Sequence, residues 1–227
     1  AFSGCSSLKQ IEIPTKVTNI EAGAFSGCSS LNKVIIPESI DRINDDTFSE
    51  CTSLSKITIP TSVKKIGKNA FKNCINLEII IPSSVVTIED NAFENCTTLK
   101  QIVIPNSVKT IGNYSFSNCT NLSQLTIDLY QTRYKSNSFN DCSSLNTLTI
   151  VSKKEKIEQN NFSTLLKRID DITKIIIPQT ITEIGCGTFS DCSSLTGIIL
   201  PNSITKIYEN TFNECKSLIQ ISIPPSV

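Results

Sequence analysis

Ten cysteines are the most reactive side chains in this sequence. Nine of them, Cys5, Cys28, Cys51, Cys74, Cys96, Cys119, Cys142, Cys192 and Cys215, each stand three residues after a phenylalanine. That regularity bears on three chemistries. A disulfide needs two Cβ vectors aimed at one another, whereas members of a stacked column point in parallel, and nine is an odd number. Zinc favours closely spaced C-x₂-C pairs and histidine, and the chain has neither. Thiol nucleophiles need an adjacent base, and with no histidine the commonest one is missing. A ladder of small, reduced, buried thiols fits best. After Phe162 the same slot holds the aliphatic Leu165, as a buried apolar position would. Cys186 is separate. It aligns with Asp45, Lys68, Asp90, Asn113 and Glu209, polar positions that read as solvent-facing, so an exposed thiol is expected, with pairing to Cys192 as the alternative.

Other catalytic signals are weak. Asp45-Asp46 and Asp170-Asp171 fall where turns are expected and read as caps rather than as glycosidase carboxylates. Gly185-Cys186-Gly187 lacks the remainder of a phosphate-binding loop. Basic and acidic residues balance at 21 each, which gives no electrostatic case for nucleic acid or an anionic membrane. No apolar run is long enough to insert directly into a membrane. The expectation is a non-catalytic protein without cofactor or metal. Five sequons, at Asn95, Asn113, Asn118, Asn121 and Asn161, support secretion only slightly in a chain so rich in Asn and Ser.

The elements that position the thiols follow from the phenylalanines. All ten, from Phe2 and Phe25 to Phe189 and Phe212, are spaced by 23, 23, 23, 22, 23, 23, 23, 27 and 23 residues. Around each lies the unit P-x-S-V-x-x-I-G-x-x-A-F-x-x-C-x-x-L-x-x-I-x-I, seen over residues 60–82, one residue short after Leu77, with Val63, Ile66, Gly67, Ala70, Phe71, Cys74, Leu77 and Ile79. The L-x-x-I-x-I end alternates and is β-branched, which predicts a strand. Proline, lacking an N–H, ends it. The A-F-x-x-C-x-x-L stretch has the spacing of a helical or 3₁₀ turn. The V-x-x-I segment adds two inward residues on the return path. No single unit can bury its apolar face, but stacking buries Phe on Phe and Ile on Ile, so a solenoid of about ten repeats is predicted over residues 1–227 as a single domain.

This unit resembles the BspA-like class of leucine-rich repeats, found in bacterial and protozoan parasite surface proteins. The resemblance covers essentially the whole chain. It implies an α/β horseshoe or arc with a parallel sheet on one face and short helical or 3₁₀ turns on the other side. It also implies a cell-surface or secreted, adhesin-like role in binding host proteins or cells, with an extracellular-matrix or host-cell protein as partner. An intracellular, cytoplasmic scaffold or regulator of the same fold is the alternative.

The pattern departs from regularity in three places. One residue is missing after Leu77. Over about residues 128–171 the proline slot becomes Asp128 and Val151, the valine slot Gln131 and Lys154, and one isoleucine slot Tyr134. The eighth repeat carries four extra residues, and Phe162, Leu165, Leu166, Ile169 and Ile172 predict a helix from about 161 to 170. Tolerated repeat decay explains these interruptions, while Tyr130, Arg133, Tyr134, Lys153, Lys154 and Lys156 form a candidate binding patch because Tyr and Arg are favoured interface anchors.

The second candidate site is the sheet face. Between the two strand isoleucines an outward column runs through Ile35, Thr58, Ile80, Val103, Thr126, Ile176 and Ile199, beside Lys56, Gln101 and Gln124. It reads either as a protein-binding stripe or as ordinary strand preference for β-branched residues. Ala1-Phe2 opens in mid-repeat and Pro225-Ser226-Val227 starts another unit, so the array is expected to continue or be capped beyond both ends.

Overall fold

A computed structural model describes residues 1–130, 132–135, 137–158 and 171–227. The predicted helix at 161–170 therefore lies outside the described residues. The chain divides into two compact units, residues 1–122 with 131–143, and residues 123–130 with 144–227.

In the first unit the leucine-rich segments form β1 (Gln10–Glu12), β2 (Lys33–Ile35), β4 (Lys56–Ile57) and β7 (Gln101–Val103). β1, β2 and β4 pair in parallel, with Gln10 opposite Lys33 and Lys33 opposite Lys56. A single bridge continues from Lys56 to Glu78. That register places the missing residue between Leu77 and Glu78. The V-x-x-I segments, expected only to return the chain, form a second parallel sheet: β3 (Arg42–Ile43), β5 (Lys65–Ile66), β6 (Thr87–Ile88), β8 (Thr110–Ile111) and β10 (Arg133–Tyr134), paired in that order.

In the second unit β9 (Gln124–Asp128), β11 (Thr147–Val151), β13 (Lys174–Ile176), β15 (Gly197–Ile199) and β17 (Gln220–Ile221) pair in parallel. β12 (Lys156–Ile157), β14 (Glu183–Ile184) and β16 (Lys206–Ile207) make its second sheet. β9 and β11 run to five residues and extend their pairing to Asp128 opposite Val151. These are the two repeats that lack the proline, and among the described residues only there does the strand run through the proline slot. An N–H restored to the backbone restores ladder pairing.

Among the described residues no helix forms on the side opposite the leucine-rich strands. Successive four-residue turns replace it: the N–H of Ala24 donates to Glu21, that of Ser26 to Gly23, that of Cys28 to Phe25 and that of Leu31 to Cys28. The intervening N–H groups leave the repeat. Gly23 donates to the Asp45 carbonyl at 2.9 Å, Phe25 to Thr47 at 3.0 Å and Gly27 to Ser49 at 2.8 Å. Half of the donors a helix would need are committed to the next repeat. Two positions per repeat, two residues before and two after the phenylalanine, also take positive φ, for example Gly23 and Gly27, Asn69 and Asn73, Asn91 and Asn95. Left-handed residues interrupt a right-handed helix, and Gly, Asn and Asp tolerate that conformation best.

The core is columnar, as the spacing predicts. Phe2, Phe25, Phe48, Phe71, Phe93, Phe116 and Phe139 stack with ring centroids 5.0–5.5 Å apart. In the second unit Phe189 and Phe212 stack at 5.5 Å. Leu54, Leu77, Val63, Val85, Ile66 and Ile88 are fully buried in their own columns.

Candidate functional site

The thiol column is built by the turn. In each regular repeat the cysteine N–H closes the turn on the phenylalanine carbonyl, and the thiol of the following repeat donates to that same oxygen. Thus the Phe25 carbonyl accepts from Cys28 N–H at 3.1 Å and from Cys51 Sγ at 3.2 Å. The bond recurs from Cys74 to Phe48, Cys96 to Phe71, Cys119 to Phe93 and Cys142 to Phe116, at 3.1–3.3 Å. In the second unit Cys215 donates to Phe189 at 3.1 Å. Burial pushes the Cys51 and Cys192 thiols up to about 12, and raises Cys96 further. A thiol held protonated is a weak nucleophile and a weak metal ligand. The cysteines are free, and Cys186 is exposed at the position where an open thiol was expected. Among the described residues no cluster of three or more His, Cys, Asp or Glu is placed to hold a metal ion. No helix among them is long and apolar enough to cross a membrane.

The leucine-rich sheet faces carry the first set of candidate residues. Strand alternation buries Val34, Ile57 and Ile102 and turns their neighbours outward. In the first unit Ile35, Ile80 and Val103 are 44%, 84% and 57% exposed, and Lys56, Thr58 and Gln101 are exposed beside them. In the second unit Gln124 and Ile199 are exposed, whereas Thr126 and Ile176 are half-buried.

The irregular residues are placed more variously. In the first unit Arg133 is exposed on β10, while Tyr134, occupying an inward isoleucine slot, is half-buried with its ring 6.3 Å from that of Phe139. In the second unit Tyr130 is half-buried. Its hydroxyl is buried without a hydrogen-bond partner, and desolvation pushes its pKa up to about 12. Lys153 and Lys154 are exposed. Lys156 stands 4.9 Å over the ring of Tyr208, whose hydroxyl donates to Glu183 at 3.0 Å.

Two features escape the sequence reading. One is the pair of left-handed positions, signalled by Gly, Asn and Asp recurring on both sides of phenylalanine. The other is the outward face of the second sheet. In the first unit its two columns read Asp41, Lys64, Val86, Lys109, Thr132 and Arg42, Lys65, Thr87, Thr110, Arg133. All but Thr132 are at least partly exposed. Its signal in the sequence is the basic residue after V-x in three of five repeats, Arg42, Lys65 and Arg133.

Units of about 23 residues, stacked so that like residues form columns between two parallel sheets, define a leucine-rich repeat solenoid. The chain belongs to the BspA type leucine-rich repeat family, which matches residues 1–98, 78–172 and 165–227 in six copies. A leucine-rich repeat protein of T. pallidum shares the fold at a TM-score of 0.54 and 22% identity, over 82% of this chain and 77% of that one. A leucine-rich repeat protein of Bacteroides ovatus is 26% identical over all of this chain and 75% of its own, at a TM-score of 0.43. A leucine-rich cell surface protein of Faecalibacterium prausnitzii is 27% identical over 97% of this chain and 61% of its own, at 0.42. Comparison with curated proteins gives no match.

Proposed function

We propose that this protein is a non-catalytic binding module of the cell surface or of a secreted adhesin-like protein, and that its leucine-rich sheet faces bind an extracellular-matrix or host-cell protein. The observation that carries the reading is Ile80, 84% exposed. Strand propensity accounts for β-branched residues inside a paired strand. Ile80 lies outside every paired strand, with only the bridge at Glu78 beside it, and the equivalent position one repeat earlier is Thr58. Folding therefore does not require an isoleucine there. With Ile35 and Val103 it gives an apolar centre, and Lys56 and Gln101 give a polar rim, the anatomy of a protein interface. The surface location rests on the family resemblance.

The test compares the intact chain with the triple variant Ile35→Asp, Ile80→Asp, Val103→Asp for binding to immobilised matrix proteins and to host cells. Binding is expected to fall at least about tenfold while the thermal melt stays near that of the parent, since exposed substitutions change stability little. Full binding by a folded triple variant overturns the assignment. The exposed thiol of Cys186 favours the second reading, an intracellular scaffold, because free surface thiols persist best in reducing compartments. Antibody labelling of intact cells, against labelling only after permeabilisation, separates the two.

A further inference from the structure

The second sheet of the first unit carries a charge pattern that neither packing nor the leucine-rich face explains. Its two outward columns hold Arg42, Lys64, Lys65, Lys109 and Arg133 against a single acid, Asp41. The chain as a whole is neutral, so this face is locally basic by segregation. The matching columns of the second unit are balanced: Glu155 and Glu183 accompany Lys156 and Lys206. Basic side chains are therefore not a requirement of the fold at these positions. They are also unfavourable for folding. Arg42 stands directly opposite Lys65 in the parallel register, and like charges facing across strands destabilise a sheet. Acids relieve part of this. Asp41 pairs with Arg42 at 3.0 Å and Glu89 with Lys65 at 2.7 Å. Lys64, Lys109 and Arg133 are exposed around them.

The geometry is linear. Five strands at about 4.8 Å each place these cations along roughly 19 Å of one sheet face. Between them stand Thr87 and Thr110, whose hydroxyls both donate and accept. No aromatic side chain interrupts the columns. A nucleic-acid strand gains affinity from base stacking on aromatics, which this face does not offer. A chain of sugars bearing sulfate groups needs cations for the sulfates and hydroxyl partners for the rings, and both are present.

We propose that this second-sheet face binds a linear sulfated glycan, independently of the protein contact assigned to the leucine-rich face. The test uses heparin as the probe and the whole 227-residue chain. Affinity is measured at graded salt for the parent, for Lys64→Glu with Lys109→Glu and Arg133→Glu, and for a control of equal charge change, Lys16→Glu with Lys206→Glu and Lys216→Glu. Glutamine replacements at the same three positions, with thermal melts throughout, guard against loss of fold. The parent is expected to bind with a steep salt dependence. The face variants should lose at least about tenfold, with a shallower log–log salt slope by about 2 to 3, one released counterion per lost cation. The control should retain binding, and desulfated heparin should not bind. Absence of parent binding at low salt, equal loss in the control, or equal affinity for single-stranded DNA at the same salt overturns the proposal.

Discussion

The Cys74 thiol donates to the Phe48 carbonyl at 3.1 Å, across one repeat, with both residues fully buried. That oxygen already accepts the Cys51 N–H at 3.2 Å, so the thiol fills its second lone pair. The cysteines therefore act as rungs between repeats. Cys74→Ala removes a buried donor and leaves a small void, and is expected to cost about 1–3 kcal/mol. Chemical denaturation of parent and variant measures it. The surface variant Lys16→Glu serves as the reference, and a Cys74→Ala change no larger than that reference would show that the bond contributes nothing.

Alkaline pH should weaken the protein through the same column. Burial raises the Cys51 and Cys192 thiols from an ordinary value near 9 to about 12 in the folded chain. A group raised by folding gives stability that is fully present below its unfolded pKa and is lost as pH rises through the folded one. Between about pH 9 and 12 only the unfolded chain ionises, and stability falls by up to about 1.4 kcal/mol per pH unit for each such thiol. Melting temperatures at pH 7, 9 and 10.5 check the direction. Cys51→Ala should flatten the slope, whereas an unchanged slope would mean that lysines and tyrosines carry the alkaline loss.

The columns were legible because solenoid stacking makes sequence period and spatial neighbour the same thing. Phe25 must sit beside Phe48 when each lies one repeat apart, and Ile66 beside Ile88 likewise. The missing proline at Asp128 and Val151 also translated directly into longer strands. What sequence could not give was the destination of the backbone donors. The A-F-x-x-C-x-x-L spacing is compatible with a helical turn, but it does not say that Phe25 N–H goes to Thr47 rather than back along its own chain. Those bonds, with positive φ at Gly23 and Gly27, decide against a helix. For the binding face, alternation showed which residues point outward, but not that Thr126 and Ile176 are half covered while Ile80 stands clear. That depends on neighbouring side chains, which the period does not encode.

The aromatic column should be strongly position-dependent. Phe71 is fully buried, with Phe48 at 5.5 Å and Phe93 at 5.3 Å on its two faces. Phe2 is 41% exposed and stacks on Phe25 at 5.4 Å. Truncating a buried phenylalanine typically costs 3–5 kcal/mol. Phe71→Ala is therefore expected to lose about 4 kcal/mol and Phe2→Ala about 2 kcal/mol, scaled by its smaller burial. Urea midpoints measure both, and equal losses would contradict a continuous core in which each ring is held from two sides.

The glycine after V-x-x-I tests how closely adjacent repeats approach. A methyl at Gly67 would lie 2.8 Å from the Asn44 carbonyl carbon and the Asp45 nitrogen, both backbone atoms of the preceding repeat. Real side chains do not make such contacts, so either the second sheet opens between β3 and β5 or the turn shifts. Gly67 N–H also donates to the Ile43 carbonyl at 2.8 Å, a bond that the shift would stretch. Gly67→Ala is expected to cost about 1–3 kcal/mol, the usual penalty of overpacking. Gly197, on β15 in the second unit, has nothing within 4 Å of an added methyl. There alanine reduces the freedom of the unfolded chain without strain, and is expected to gain up to about 1 kcal/mol. The two substitutions are chemically identical and opposite in predicted sign. Thermal melts of the pair decide the matter, and a stabilising Gly67→Ala would contradict the close approach of adjacent repeats at that turn.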